Sequence, residues 1–338
     1  MTGVQKLLAA VPLLFLFFPA SGSTLDSIGP GWQTLSAGRL TVRYSGSSDI
    51  LARQVLDKAG RFLDETSVFF GLEAIGPYDI VIAGSREQFL ELQPASRPAP
   101  EWAGALTYPG LGLVLIMTPG AMEAGGTRYW SLLRHEMAHL LLGDAEIAGH
   151  TRLPLWFQEG LATYVAGEMT LPRLFHLGWA QVSGAAPAFA ELENTFPRQP
   201  ALAEAAYARS YLFIRYLTRE FGDDSVARLL NASMQLGGLG EGAREAFGLS
   251  LAQILRGFER YAKFRAAWLP AISSTASVWG LITFLFLFTT YRKRVASAKK
   301  LKQWDDEEIM LTGAAVSGTA FGTPGGREEE DENKRTLH

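Results

Sequence analysis

The stretch Arg134-His135-Glu136-Met137-Ala138-His139 sets two histidines four positions apart, with a glutamate directly after the first. On a helix, positions i and i+4 lie one above the other, so His135 and His139 can turn two imidazoles toward a single ion. Glu136 sits about 100° round the helix from His135, off the line of the ligands yet still facing the same cleft. A carboxylate there can take a proton from a water at the metal instead of binding the ion, which is the chemistry of metal-assisted hydrolysis. The chain has no cysteine. Thiolate ligands, disulfides and thiol catalysis are therefore excluded, and any metal must be held by imidazoles and carboxylates.

These residues need a helix to carry them, and the flanking pattern predicts one. Thr127 can cap its start after Gly125-Gly126, Trp130, Leu133, Met137, Leu140 and Leu141 give it apolar cover, and Gly143 reads as its end. A third ligand has to come from another element. Leu153 to Tyr164 reads as a second helix with Pro154 in its first turn. On it, Glu159 lies twenty positions after His139, and a short antiparallel return between the two helices would bring its carboxylate to the metal. Gly160 is costly inside a helix unless a neighbour must come close, and helix packing at a metal site is such a reason.

HEMAH followed by Trp156-x-x-Glu159-Gly160-x-Ala162 resembles the gluzincin group of zinc metallopeptidases, closest to its bacterial peptidase MA-like domains. The stretches Ala205 to Gly222 and Glu245 to Ser250 are similar to those domains too, so the resemblance covers most of residues 39 to 265. It implies a zincin-like (thermolysin-like) fold, one zinc ion held by His135, His139 and Glu159, and Glu136 as general base. It also implies that the strand Leu111 to Met117 is the cleft edge that pairs with the substrate backbone. A metzincin is excluded by spacing, since it requires a glycine at position 142 and a histidine at position 145, where Leu142 and Ala145 stand.

Gluzincins commonly use a downstream tyrosine or histidine to stabilise the oxyanion. Tyr207, within the family-like stretch, is the catalytic candidate, and it shares a helix face with Tyr211. Arg209 is a third possibility, and a tyrosine ring packed in a helical core is the competing reading. Asp144 and Glu146, near the helix end, read as solvated or capping. His150 reads as a surface residue after a glycine, and His176 and His338 carry no signal. Gly120-Ala121-Met122-Glu123-Ala124 is similar to an exopeptidase G-x-M-E-N motif. Ala124 replaces its asparagine, however, and Glu123 lies only twelve residues before His135, so the match is read as coincidence.

The rest of the chain places this site. Net charge is −3 from 31 basic and 34 acidic residues, which gives no global field for nucleic acid. Residues 1 to 23 read as an export signal, with Lys6, the apolar run Leu7 to Phe18 and small residues after Pro19. No charge occurs between Arg265 and Arg292, so residues 268–291 are expected to form a transmembrane helix. The basic flank Arg292 to Lys302 is expected in the cytoplasm, followed by a disordered acidic tail from Asp305. Between the ends, residues 24–267 form the extracytoplasmic domain. Strands are predicted at Arg39 to Tyr44, Tyr78 to Ala83 and Leu111 to Met117. Helices are predicted at Ile50 to Phe70, Ser85 to Leu92, 127–142, 154–166, 201–220, 223–234 and 250–266. A mixed α/β half followed by a helical half is an α+β layout. The sequence thus points to a membrane-anchored hydrolase of protein or peptide substrates. Its rivals are a non-catalytic binding module that keeps the fold, and a membrane scaffold in which HEMAH is an ordinary helix.

Overall fold

Leu40, Val42 and Tyr44 alternate with polar neighbours and bury one face of a strand, β2 (Leu40–Ser45). The computed structural model describes residues 29, 31–46, 48–93, 103–122, 126–273 and 275–317, with the backbone alone at 126, 264–278, 281, 301–303 and 305–317. In it β2 pairs antiparallel with β1 (Trp32–Ala37) and parallel with β3 (Tyr78–Ala83). The crossover between the parallel strands is α1 (Asp49–Phe70), closed by Gly71 in the left-handed conformation. Its inward stripe, Ala52, Val55, Ala59, Leu63 and Phe70, lies in the main core with Leu40, Val42, Ile80 and Ile82.

After the short helix α2 (Arg86–Glu91) come β4 (Ala105–Tyr108) and β5 (Leu113–Met117), and the sheet order is β1-β2-β3-β5-β4. Every residue of β5 is buried, as its continuous apolar run requires of an interior strand. β5 is flanked by β3 and β4, which corrects the expectation that the strand at Leu111 to Met117 forms the cleft edge. The edge beside the metal motif is β4, a four-residue strand too short to show alternation in the sequence.

Helices then follow in order: α3 (Gly126–Ala148), α4 (Leu155–Ala166), α5 (Leu171–Val182), α6 (Pro200–Phe221), α7 (Ser225–Leu236), α8 (Leu239–Phe247), α9 (Leu251–Ser273) and α10 (Thr275–Ser317). α5 and α8 were not among the expected helices. α3 also runs past Gly143, which is there for close packing: a Cβ at that position would strike Pro109. Mixed sheet and helix followed by helices is the α+β layout in its coarse form, mostly helical among the described residues.

The chain divides into two compact units, Met1–Ile272 and Ser273–His338. The transmembrane helix expected over 268–291 is not found: among the described residues no helix is long and apolar enough to cross a membrane. The segment is shared between α9, which ends at Ser273, and α10, which begins at Thr275. The run from Thr275 to Tyr291, ahead of Arg292, falls short of the roughly 20 apolar residues a span needs. α10 does leave Trp279, Phe284, Phe286 and Tyr291 exposed. Helix also continues through 305–317, where a disordered tail was expected. The export signal at 1–23 and the tail beyond Ser317 lie outside the described residues.

Candidate metal centre

Three fastenings set α3 and α4 against each other. Near the end of α3, the buried carboxylate of Glu146 accepts from the Leu153 amide at 2.6 Å and from Gln158 Nε2 at 3.1 Å. The same Gln158 amide donates to the Leu153 carbonyl, which fixes the first turn of α4. At the other end, Ser131 Oγ on α3 donates to the Ala166 carbonyl on α4. The antiparallel return inferred from the sequence thus exists, and it lays Glu159 alongside the two histidines. On its far side α4 rests on α6. A Cβ at Gly160 would come 2.6 Å from the Ser210 carbonyl oxygen, an approach that only glycine allows.

His135, His139 and Glu159 each offer a ligand atom within 4.8 Å of one another, and all three are buried. The two Nε2 atoms are 3.1 Å apart, Glu159 Oε2 is 3.4 Å from His135 Nε2, and Glu159 Oε1 is 3.7 Å from His139 Nε2. Ligands about 2.0–2.2 Å from a tetrahedral ion stand roughly 3.3–3.6 Å from each other, so these separations suit one ion with zinc-like bond lengths. Among the described residues, neither oxygen of Glu159 has a hydrogen-bond partner. A buried carboxylate left in that state is costly unless a cation completes it. Nitrogen and oxygen donors in this number and arrangement fit a divalent metal.

The charges in the cluster lean on one another. Burial alone would push the His135 imidazolium down, but Glu168 and Glu159 outweigh it and raise its pKa to about 10. Burial would raise Glu159, yet His139 and His135 hold it down to about 2. Glu168 is a residue the sequence reading missed. Its Oε2 faces His135 Nδ1 at 3.3 Å, and Arg173 grips it through the carboxylate and through its backbone carbonyl. Arg173 in turn donates to Glu204 at 2.6 Å and lies over the Tyr207 ring. Burial opposes the charge on Glu168, but His135 and Arg173 hold its carboxyl below the usual range. A partner on Nδ1 orients an imidazole and presents Nε2 to the metal.

Glu136 stands beside this group without joining it. Its Oε2 accepts a 2.6 Å hydrogen bond from the Thr107 hydroxyl on β4, while Oε1 is buried and has no hydrogen-bond partner among the described residues. Burial raises its pKa, against the pull of His135, His139 and Thr107.

The remaining sequence candidates fall elsewhere. Tyr207 is fully buried, its ring 4.7 Å from that of Phe196 and under the Arg173 guanidinium. Burial, with the charge of Glu159, pushes its phenol well above the usual value. Tyr211 packs on Tyr164, and Arg209 pairs with Glu259 and lies over the rings of Phe189 and Phe258. Asp144 is not simply solvated: it accepts from the Ile75 and Gly76 amides and from the Tyr78 hydroxyl, fastening α3 to the start of β3. Glu146, expected near solvent, is buried because α3 extends beyond it. His150 is exposed, with a positive φ of 46°, and His176 touches only the neighbouring Phe175 ring among the aromatic contacts. Glu123 and Ala124 lie outside the described residues.

Among solved structures the chain is similar to a native yeast LTA4 hydrolase at 14% identity and a TM-score of 0.36, covering 72% of this chain. The chain spans 38% of the length of that enzyme. No curated protein sequence matches it. The family described as the peptidase MA superfamily matches residues 67–263, which take in β3 to β5, the whole metal cluster and the helices through most of α9. With the match spanning more than half of its length, the chain belongs to the peptidase MA superfamily, as the gluzincin-like motifs imply.

Proposed function

We propose that the chain is a zinc metallopeptidase that hydrolyses peptide bonds of protein or peptide substrates. The observation that carries this reading is the Glu136 carboxylate, held at the side of a His135–His139–Glu159 group with one oxygen bound to Thr107 and the other unpartnered. When bound, zinc supplies Lewis-acid polarisation of the scissile carbonyl and lowers the pKa of a water molecule to about 7. Glu136 removes a proton from that water and delivers it to the leaving amine. Burial raises its proton affinity, the direction that suits a group that must take a proton and give it back. Glu168 Oε2, 3.3 Å from His135 Nδ1, favours the tautomer that offers Nε2. The outer edge of β4, unpaired among the described residues, is where an extended peptide adds as a further strand. Tyr207 keeps its proton and donates to the oxyanion only if the substrate-bound site opens toward its ring, so a Tyr207→Phe variant that retains full kcat removes it from the mechanism.

Placement outside the cytoplasm is part of the proposal and rests on the export signal expected from the apolar run Leu7 to Phe18. Digestion of intact cells with an externally added protease tests it, and a domain protected until the cells are broken open refutes the placement.

The decisive comparison is between the wild-type chain and Glu136→Gln, each loaded with zinc and offered a broad peptide mixture. Both are expected to bind one zinc, and only the wild type to cleave. Equal cleavage by the two refutes the mechanism. Stoichiometric zinc with no cleavage by either points to the non-catalytic binding module.

A further inference from the structure

The Thr107 hydroxyl has a single proton and two acceptors in reach: Glu136 Oε2 at 2.6 Å and the Glu136 backbone carbonyl at 3.1 Å. The nearer acceptor is the carboxylate, and 2.6 Å is the length of a charge-assisted O–H···O⁻ bond. Oε1 of the same carboxylate is buried with no hydrogen-bond partner among the described residues. The two oxygens are therefore inequivalent. One is occupied by a fixed donor and the other is free to accept.

Thr107 belongs to β4, whose register partner is Val114 on β5 and whose other side is a sheet edge among the described residues. One residue thus offers its main chain to the sheet edge and its side chain to the carboxylate on α3.

We propose, resting on the peptidase reading, that Thr107 is a positioning residue for the general base. Its hydroxyl holds Oε2, so that Oε1 is the oxygen that takes the proton from water and gives it to the amine. The same contact keeps the base in register with a peptide paired along β4. The chain thereby couples where the substrate backbone lies to where its proton acceptor lies, through a single side chain.

The test uses the full chain, zinc-loaded, with Thr107→Val (same shape, no hydroxyl), Thr107→Ser (hydroxyl kept) and Glu136→Gln, each assayed on a quenched-fluorescent peptide mixture. Thr107→Val is expected to lose about 100-fold in kcat, the scale of a catalytic group misplaced by about 1 Å. KM and the zinc dissociation constant, read by chelator competition, are expected to stay within about twofold. A crystal structure of Thr107→Val is expected to show the Glu136 carboxylate turned out of its present orientation, and Thr107→Ser to restore most of kcat. Wild-type turnover in Thr107→Val overturns the proposal while leaving the peptidase reading intact. So does a loss matched by an equal fall in zinc affinity, or one that Thr107→Ser fails to restore. A wild-type chain no faster than Glu136→Gln overturns the peptidase reading and takes the role of Thr107 with it.

Discussion

Replacing Gly160 with alanine pits two effects of opposite sign against each other. In an unobstructed helix the change gains about 1 kcal/mol, because alanine loses less backbone freedom on folding than glycine. Here the added methyl would stand 2.6 Å from the Ser210 carbonyl oxygen, 2.9 Å from its carbonyl carbon and 3.2 Å from Ile214 Cγ1. Ordinary contact begins at 3.4 Å, so α4 must retreat from α6 by about 0.8 Å. The obstacle is main chain inside a packed helix and cannot rotate aside. Overpacking of this kind costs about 1–3 kcal/mol, and a backbone obstacle belongs at the upper end. The balance is a loss of about 2 kcal/mol, or roughly 4–8 °C in the unfolding midpoint for a domain of this size.

Glu159 is the adjacent residue, so the retreat shifts a ligand as well. Metal–ligand distances tolerate only about 0.2 Å of error, and zinc binding should weaken by about tenfold or more. Thermal unfolding in excess chelator isolates the packing effect, and competition with a chromogenic chelator reads the metal. A midpoint that rises by the helix-propensity increment, with zinc affinity unchanged, would refute the claim that α6 dictates glycine at this position.

Glu168→Gln should weaken zinc binding about 10- to 100-fold, the usual scale for losing a carboxylate behind a ligating histidine, and chelator competition measures it. Burial raises Glu146 from 4.5 to about 7, against the pull of the Leu153 amide and Arg152. The folded chain therefore binds more protons than the unfolded one between those values. Glu146 contributes stability that is present in full below about pH 4.5 and lost as pH rises through about 7, at most about 3 kcal/mol. Urea titrations across that window should show the decline in the wild type and a flatter profile in Glu146→Gln.

How far the site could be read in advance depended on how local each contact is. HEMAH declares itself because one helix turn brings both imidazoles together, and no other element is needed. Glu159 was legible one step further, through the Pro154 start, the helical run and the Gly160 that its packing demands. Glu168 was not, because its reach back to His135 depends on a chain reversal at Gly167, whose φ of 67° ends α4. A glycine closing an apolar helix, with a carboxylate next to it, was the available signal. Thr107 escaped notice because ALTY is too short to announce a strand, and its role is visible only once α3 is packed across it. Glu146 and Asp144 were misjudged for one reason: Gly143 was taken as a helix end when it is a packing glycine, so the turn beyond it was assigned to solvent. The span expected at 268–291 is not found among the described residues, where the uncharged run of α10 before Arg292, Thr275 to Tyr291, is too short for one.

The way α3 is secured has a mechanical consequence. Thr107 and Asp144 tie it to the sheet, and Ser131, Glu146 and Gln158 tie it to α4. It is a strut clamped at both flanks, so any gaping between the strand-bearing and helix-bearing portions must first tear one set of clamps loose. The imidazoles therefore ride on a rod held from two sides, and flexing around them has to come from its surroundings.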